Sequence, residues 1–352
     1  MKSVEVAASG KYEVLIGSGL LEKAGELIRG VLPKAEKIAV ISESTVWPLY
    51  GEAVCRSLES AGYKVAVRCV LPAGEASKNG MSFLKILNTL AEAHLTRSDA
   101  VVALGGGMIG DISGFASASY LRGVACVQIP TTLLADVDSS VGGKTAIDLA
   151  AGKNLAGAFC QPALVICDSH TLKTLPESIF TDGCAEVIKY GVLKDPELFA
   201  HLEEKGKGFD LEYVLERCVS IKRDYVCEDE FDNGARRQLN LGHTLGHAVE
   251  AASNFELSHG SAVAIGLAAV ARASAVRGIC RTDCAQRLVA LLESFGLPTK
   301  TEMDMDTLYE HMLSDKKRLG GTVNIIVPET IGRCRVLPLA MEEARDFMKA
   351  GL

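Results

Sequence analysis

Two histidines, His243 and His247, stand four residues apart in the segment NLGHTLGHAVE (240–250). If the segment is helical they share one face and can grip a metal, although one satisfied core histidine beside one exposed histidine reads almost as well. A third, His259, precedes the apolar run that begins at Gly260, and Glu186 lies in the helical-looking segment GCAEVIKYG. Should two or three of these imidazoles converge with that carboxylate, three protein ligands would leave an open coordination position. That arrangement marks catalytic zinc rather than structural zinc.

A second constellation is built on glycine. Residues Val101 to Leu104 run straight into GGGMIGD (105–111), a strand-to-helix transition where bare backbone can approach a pyrophosphate and a helix N-terminus favours its charge. The pattern is not the usual GxGxxG, so a tight structural turn is an equal reading. Glu43, at the end of an earlier predicted strand, either holds ribose hydroxyls or serves as a turn residue or helix cap. Gly143-Lys144-Thr145 is not a P-loop, because Asp138 stands where that motif needs its first glycine. The dense run PTTLLADVDSSVGGKT (130–145) and Gly152-Lys153-Asn154 instead offer two lysines, an asparagine and several hydroxyls on glycine-flexed loops. Singly each fits a cap or surface role; together they suit an anionic, polyhydroxylated ligand.

The elements that must position these groups fall into two kinds. Apolar β-rich runs begin at Lys37, Lys64, Asp99, Val124 and Ala163, separated by helical spacing, which predicts a parallel sheet covered on both faces. Beyond about residue 172 the rhythm changes to long helical patterns such as LEYVLERCVSIKRDYV. The expected division is an α/β domain over 1–172 and a mainly α-helical domain over 173–352. A length of 352 residues agrees with two domains, and hydrophobic residues at 48% with charged residues at 23% describe ordinary globular chains. The net charge of −7, with no long basic block, argues against a nucleic-acid or anionic-membrane binder. Eleven scattered cysteines, with no C-x-x-C pair and Cys280 and Cys284 closest together, read as reduced thiols of a cytoplasmic protein. The first residues lack a signal-peptide pattern, and the apolar run from Ala262 is cut short by Arg272, too soon to span a bilayer.

Taken together, GGGMIGD, PTTLLADVDSSVGGKT, GKNLAGAF, AEVIKYG, NLGHTLGHAVE and SHGSAV resemble the 3-dehydroquinate synthase family, with similarity running from PAGEASKN at Pro72 to DKKRLGG at Asp315. The resemblance implies a Rossmann-like N-terminal domain, a helical C-terminal domain, NAD, one divalent metal (usually zinc, with cobalt an alternative) and usually a homodimer. It implies that Glu186, His243 and His259 hold the metal, with His247 as a substrate-side group, so the i,i+4 pair is not the ligand set. Carried over in the same way, Asp138, Lys144, Asn154, Lys189, Lys222, Arg236, Asn240, His247 and Lys316 surround the substrate. Arg122, whose simplest local role is an exposed helix-end residue capping a carbonyl, reaches the neighbouring subunit's phosphate site. Glu43, Glu75, Lys78, Gly107, Asp111, Thr131, Thr132, Lys144, Lys153, Thr171 and Thr174 line the dinucleotide.

The implied substrate is 3-deoxy-D-arabino-heptulosonate 7-phosphate, whose carboxylate and phosphate explain a basic pocket in an acidic protein. In the family's reaction NAD oxidises the C5 hydroxyl, phosphate leaves, the hydride returns, and ring opening with an intramolecular aldol closure gives 3-dehydroquinate. A related sugar phosphate cyclase and a metal-dependent polyol dehydrogenase are the competing enzymes; a noncatalytic NAD-binding regulator is the competing class. Departures from the family pattern are Ala73 for Asp, Asp136 for Gln, Asp232 and Ser261 for Glu, and Ser178-Ile179 for Arg-Glu. Ala73 bears on the NAD pocket, Ser178-Ile179 on the support of the Glu186 helix, and none removes an expected metal ligand.

Overall fold

The structure, a computed structural model, describes residues 1–316 and 321–352, with the side chains of 314–316 also left out of the description. The chain folds as two compact units, Met1–Pro176 with Leu211–Phe231, and Glu177–Asp210 with Asp232–Leu352.

Among the described residues eleven strands form in chain order: β1 Lys2–Ala7, β2 Lys11–Gly17, β3 Lys37–Glu43, β4 Lys64–Leu71, β5 Ala100–Gly105, β6 Ala125–Pro130, β7 Lys144–Leu149, β8 Gly152–Phe159, β9 Leu164–Asp168, β10 Thr322–Thr330 and β11 Arg333–Ala340. The first unit is built on a seven-stranded sheet of order β1-β2-β9-β6-β5-β3-β4. All its neighbours pair in parallel except β1 and β2. Strands β5 and β9 are buried at every position because helices and turns cover both sheet faces. Successive residues therefore feed opposite cores: Val102 packs with Ile28, Val40 and Ile166, and its neighbour Val101 with Ile86, Ile109 and Ile112.

The five expected runs all became parallel strands. The hairpin β1–β2 was not among them, since its Lys, Glu and Ser residues alternate with apolar ones and cover only one face. From β3 the chain crosses to β4 on one side, then returns to lay β5 against the other side of β3. That reversal opens a crevice at the carboxyl ends of β3 and β5, where Glu43 and Gly105 stand.

Helix Leu211–Glu228, which the sequence places in the second domain, packs on β1 and on the short Ala135–Ser139 turn of the first unit. A single cut after residue 172 therefore does not describe the chain. The helix has a regular apolar face, with Val214, Leu215, Cys218 and Tyr225 buried, and such a face carries no label for the unit that will cover it.

The second unit is helical apart from the antiparallel pair β10–β11. Its central helix, His259–Val276, is long and apolar enough to cross a membrane by length and composition, yet is mostly buried in the fold. Small residues let neighbours approach it closely. A Cβ on Gly266 would sit 1.9 Å from the carbonyl oxygen of Gly242, the residue before helix His243–Ala252.

Candidate metal centre and nucleotide loop

Three helices of the second unit bring the metal donors together. Glu186 lies within helix Glu177–Lys194, and His243 and His259 are the first residues of helices His243–Ala252 and His259–Val276. One donor atom from each lies within 4.8 Å of the other two. Nε2 of His243 is 3.3 Å and Nε2 of His259 is 3.6 Å from Oε1 of Glu186. The outer ring nitrogens are engaged elsewhere. Nδ1 of His243 meets the Leu241 carbonyl at 3.0 Å, which can only accept, so it donates and leaves Nε2 facing the cluster. Nδ1 of His259 meets Oε2 of Glu250 at 3.3 Å, the carboxylate–histidine pairing that orients metal ligands.

Electrostatics set the cluster for a cation. Burial opposes charge on Glu186, but the Lys189 ammonium and the two imidazoles outweigh it and hold the carboxyl well below the ordinary range. Both Glu186 oxygens are buried and lack a well-formed hydrogen bond. Burial also opposes charge on His259, yet the neighbouring carboxylates of Glu186 and Glu250 push the imidazole up to about 10. Positive charge belongs at this position, and two imidazoles with one carboxylate are a donor set that fits zinc or cobalt. His247, one turn along from His243, is exposed, with ring centroids 5.3 Å from His243 and 6.1 Å from His259, and is not in the donor cluster.

Sequence reasoning missed Glu250 and Asp182. Oδ1 of Asp182 accepts from the Ser261 amide at 3.0 Å, tying the start of the His259 helix to the Glu186 helix. The latter runs unbroken through Ser178 and Ile179. Glu250 was visible at i+7 from His243, on the same helix face, but nothing local says that it meets His259. Replacing Glu250 with Gln is expected to weaken zinc binding roughly 10–100-fold without unfolding the protein, read by competition with a chromophoric chelator. Unchanged affinity would make the contact incidental.

In the first unit the glycine loop joins β5 to helix Gly107–Ser119, whose N-cap Gly106 offers no side-chain cap. Cβ atoms on Gly106 and Gly107 would come to 3.0 Å from Thr132 and Ser139, so these positions keep the backbone bare and close-packed. The buried hydroxyls of Thr131 and Ser139 beside this loop have no hydrogen-bond partner, as fits a site whose ligand brings its own polar atoms. Lys78 is buried and reaches Asp111 at 2.6 Å, Asn154 at 2.5 Å and Glu75 at 3.6 Å. Burial raises Asp111 to about 6 against the pull of Lys78. For Lys78 itself burial disfavours the ammonium, but Asp111 and Glu75 prevail and hold it above the ordinary lysine value.

The other expected residues take varied places. Glu43 is buried and accepts from the Thr45 and Val46 amides at 2.6 and 2.8 Å, so its carboxylate shapes the turn at the crevice. Thr132 accepts from the Ala135 amide, and Thr171 donates to the Asp168 carbonyl while Thr174 pairs with Tyr50. Lys222 is buried and bonds both the carboxylate and the carbonyl of Asp138. Lys144 is exposed at the start of β7 and Lys153 half-buried in β8. In the second unit Lys189 and Arg236 are buried and Asn240 is exposed. The Lys316 side chain lies outside the described residues. Asp136 is fully buried, without a hydrogen bond to either carboxylate oxygen, and burial raises it well above the carboxylate range. Burial thus favours its neutral form.

A doubly wound sheet with a bare glycine loop at its switch point, in one chain with a helical unit carrying a three-donor metal cluster, defines a nucleotide- and metal-dependent α/β enzyme. Residues 68–182 match the family model for the 3-dehydroquinate synthase N-terminal region and residues 183–318 that for its C-terminal region. The chain belongs to the 3-dehydroquinate synthase family. It is 43% identical over 351 residues to the 3-dehydroquinate synthase of Symbiobacterium thermophilum (strain DSM 24528 / JCM 14929 / IAM 14863 / T), covering 97% of each chain. Among solved structures, 2-epi-5-epi-valiolone synthase (ValA) from Streptomyces hygroscopicus subsp. jinggangensis 5008, with NAD+ and Zn2+ bound, is 26% identical with a TM-score of 0.88, covering 99% of this chain and 97% of that one. A 2-deoxy-scyllo-inosose synthase complexed with carbaglucose-6-phosphate, NAD+ and Co2+ shares the fold at a TM-score of 0.88 and 22% identity, covering 100% of both chains.

Proposed function

We propose that this chain is a 3-dehydroquinate synthase, converting 3-deoxy-D-arabino-heptulosonate 7-phosphate to 3-dehydroquinate and phosphate in the shikimate pathway. The observation that carries this reading is its likeness to curated 3-dehydroquinate synthases along nearly the whole chain. When bound, NAD would supply reversible hydride acceptance for oxidation of the alcohol carbon C5, and the divalent metal would supply Lewis acidity. Glu186, His243 and His259 would hold the metal, and the glycine loop with Lys78 and Asp111 would hold the dinucleotide. Lys222 and Arg236 are buried cations in an acidic protein, suited to the substrate's carboxylate and phosphate. Asp138 fixes the direction of the Lys222 ammonium. His247, exposed beside the cluster, would hold or pass a proton. For ring opening and aldol closure the protein's part is to keep the intermediate in one productive geometry.

The test is phosphate release from the heptulosonate phosphate with product identification. One phosphate per substrate, 3-dehydroquinate as product and no accumulation of NADH are expected. Stoichiometric NADH would mean a polyol dehydrogenase, and a different carbocycle would mean a related cyclase, the reading favoured by the high TM-scores to two other cyclases.

A homodimer in the cytoplasm, the compartment in keeping with eleven free cysteines, completes the reading. Arg122 is exposed and makes no hydrogen bond or ion pair among the described residues. The Leu121 carbonyl is instead capped by Arg97. Leu121 and Arg122 both have left-handed backbones, with φ of 50° and 68°, at roughly 1–2 kcal/mol each. Such strain favours a functional placement, here toward the other subunit's substrate phosphate. Arg122→Ala is expected to weaken substrate binding by a few kcal/mol at unchanged metal content. Mixed dimers of Arg122→Ala and His243→Ala chains should regain one working site per heterodimer; inactive, verified heterodimers would place Arg122 outside the partner's site.

A further inference from the structure

The hairpin of β7 and β8 carries Lys144, Lys153 and Asn154, and its pairing is irregular where two of them stand. Ile147 pairs with Ala156 but Leu149 with Gly152, so Lys153, Asn154 and Leu155 all lie opposite Asp148 alone. This is a bulge in β8, a device by which a strand re-aims its side chains beside a site. Asn154 takes a left-handed backbone there, with φ of 55°, a conformation open to asparagine but one that its surroundings must hold. Asp148 supplies the hold: Oδ1 of its half-buried carboxylate accepts from the Asn154 amide at 2.8 Å.

Two further bonds close a ring. The Asp148 amide donates to the Lys78 carbonyl at 2.8 Å, and the Lys78 ammonium donates to Oδ1 of Asn154 at 2.5 Å. Lys78 also meets Asp111 at 2.6 Å, on the helix that follows the glycine loop. From the bulge and this ring, we propose that Asp148 is a positioning residue: it holds the β8 bulge in the form that presents Asn154 to the substrate, and ties Asn154 through Lys78 to the dinucleotide. The inference rests on the function proposed above, with Lys78 at the dinucleotide and Asn154 at the substrate as the family resemblance implies.

Apolar packing does not hold this bulge, because Leu149 and Leu155 on either side of it are exposed. Without an acceptor at position 148 the Asn154 amide turns to water, the left-handed backbone relaxes, and the Asn154 side chain leaves Lys78. What the bulge requires is an oxygen in that place and not a charge, so an amide of the same length serves as well as a carboxylate. An asparagine that has moved costs binding of the substrate in its ground and transition states alike, which raises KM and leaves kcat in place.

Full-length protein with NAD and zinc is assayed on the heptulosonate phosphate. Asp148→Ala is expected to raise the substrate KM about tenfold at unchanged kcat, the size of one lost hydrogen bond, and Asp148→Asn to restore the wild-type KM. Asn154→Ala with Asp148→Ala should be no worse than Asn154→Ala alone, because Asp148 acts through Asn154. A wild-type KM in folded Asp148→Ala, an Asn variant as impaired as the Ala variant, or losses that add in the double variant would each overturn the proposal. Should the alanine variant fail to fold, amide hydrogen exchange of the wild-type protein decides: NAD should slow exchange at Asn154, since a ligand that fixes Lys78 fixes the ring. Exchange there unchanged by saturating NAD would sink the idea. Wild-type protein that releases no phosphate would overturn the function proposed above, and the exchange measurement would still decide the role of Asp148.

Discussion

Chelation of the divalent metal is expected to lower turnover by on the order of a thousandfold, the several kcal/mol that Lewis-acid stabilisation contributes, while leaving the fold in place. The donors sit at two helix starts and within a third helix, all anchored by apolar packing: Val187, Ile188 and Tyr190 flank Glu186 and are fully buried. Zinc or cobalt should restore activity. His259→Ala should cost far more metal affinity than His247→Ala, because His259 faces Glu186 and His247 stands outside the donor cluster. Circular dichroism of the stripped protein, activity before and after metal return, and zinc affinity of the two variants make the measurement. Full activity in demonstrably metal-free protein would remove the metal from the reaction, and equal losses in both variants would return the ligand set to the simple i,i+4 pair.

Gly266→Ala is expected to lower stability by about 3 kcal/mol, the upper end of ordinary overpacking, and to cut metal affinity as well. The added methyl would meet the Gly242 carbonyl at 1.9 Å, and that oxygen already accepts from the Gly246 amide. No flexible side chain is there to yield, so the His259 and His243 helices must separate and their imidazoles with them. A melting temperature lower by roughly 6–12 °C is the size this implies for a unit of some 150 residues. Gly30→Ala is the matched control, an exposed helical glycine with open space at its Cβ. An unshifted melting temperature and zinc affinity in the Gly266 variant would mean that the helix pair does not set the spacing of the metal donors.

Much of the fold was legible because continuous apolar runs bounded by glycine can be satisfied only in a sheet covered on both faces. What escaped had local signals shared by other structures. The alternating β1–β2 segment reads as a half-exposed strand or a polar lead-in. The hairpin β10–β11 did carry a signal, two residues Ile331-Gly332 between β-rich runs, with Gly332 at a φ of 83° that a tight turn uses. It lay inside a stretch read as helical. The helix Leu211–Glu228 was legible as a helix but not as part of the first unit.

At the sites the division follows the same physics. The sequence by itself determined which chemistries are available: imidazoles and a carboxylate for a metal, bare glycine backbone for a pyrophosphate, lysines and an arginine for anions. Only the tertiary structure decided which donors converge. Spacing along a helix determines which side chains share a face, and by that measure His243 and His247 are equals. Their separation into a cluster member and an exposed neighbour depends on Glu186 and His259 arriving on two other helices, that of His259 held against the His243 helix by the close approach at Gly242 and Gly266.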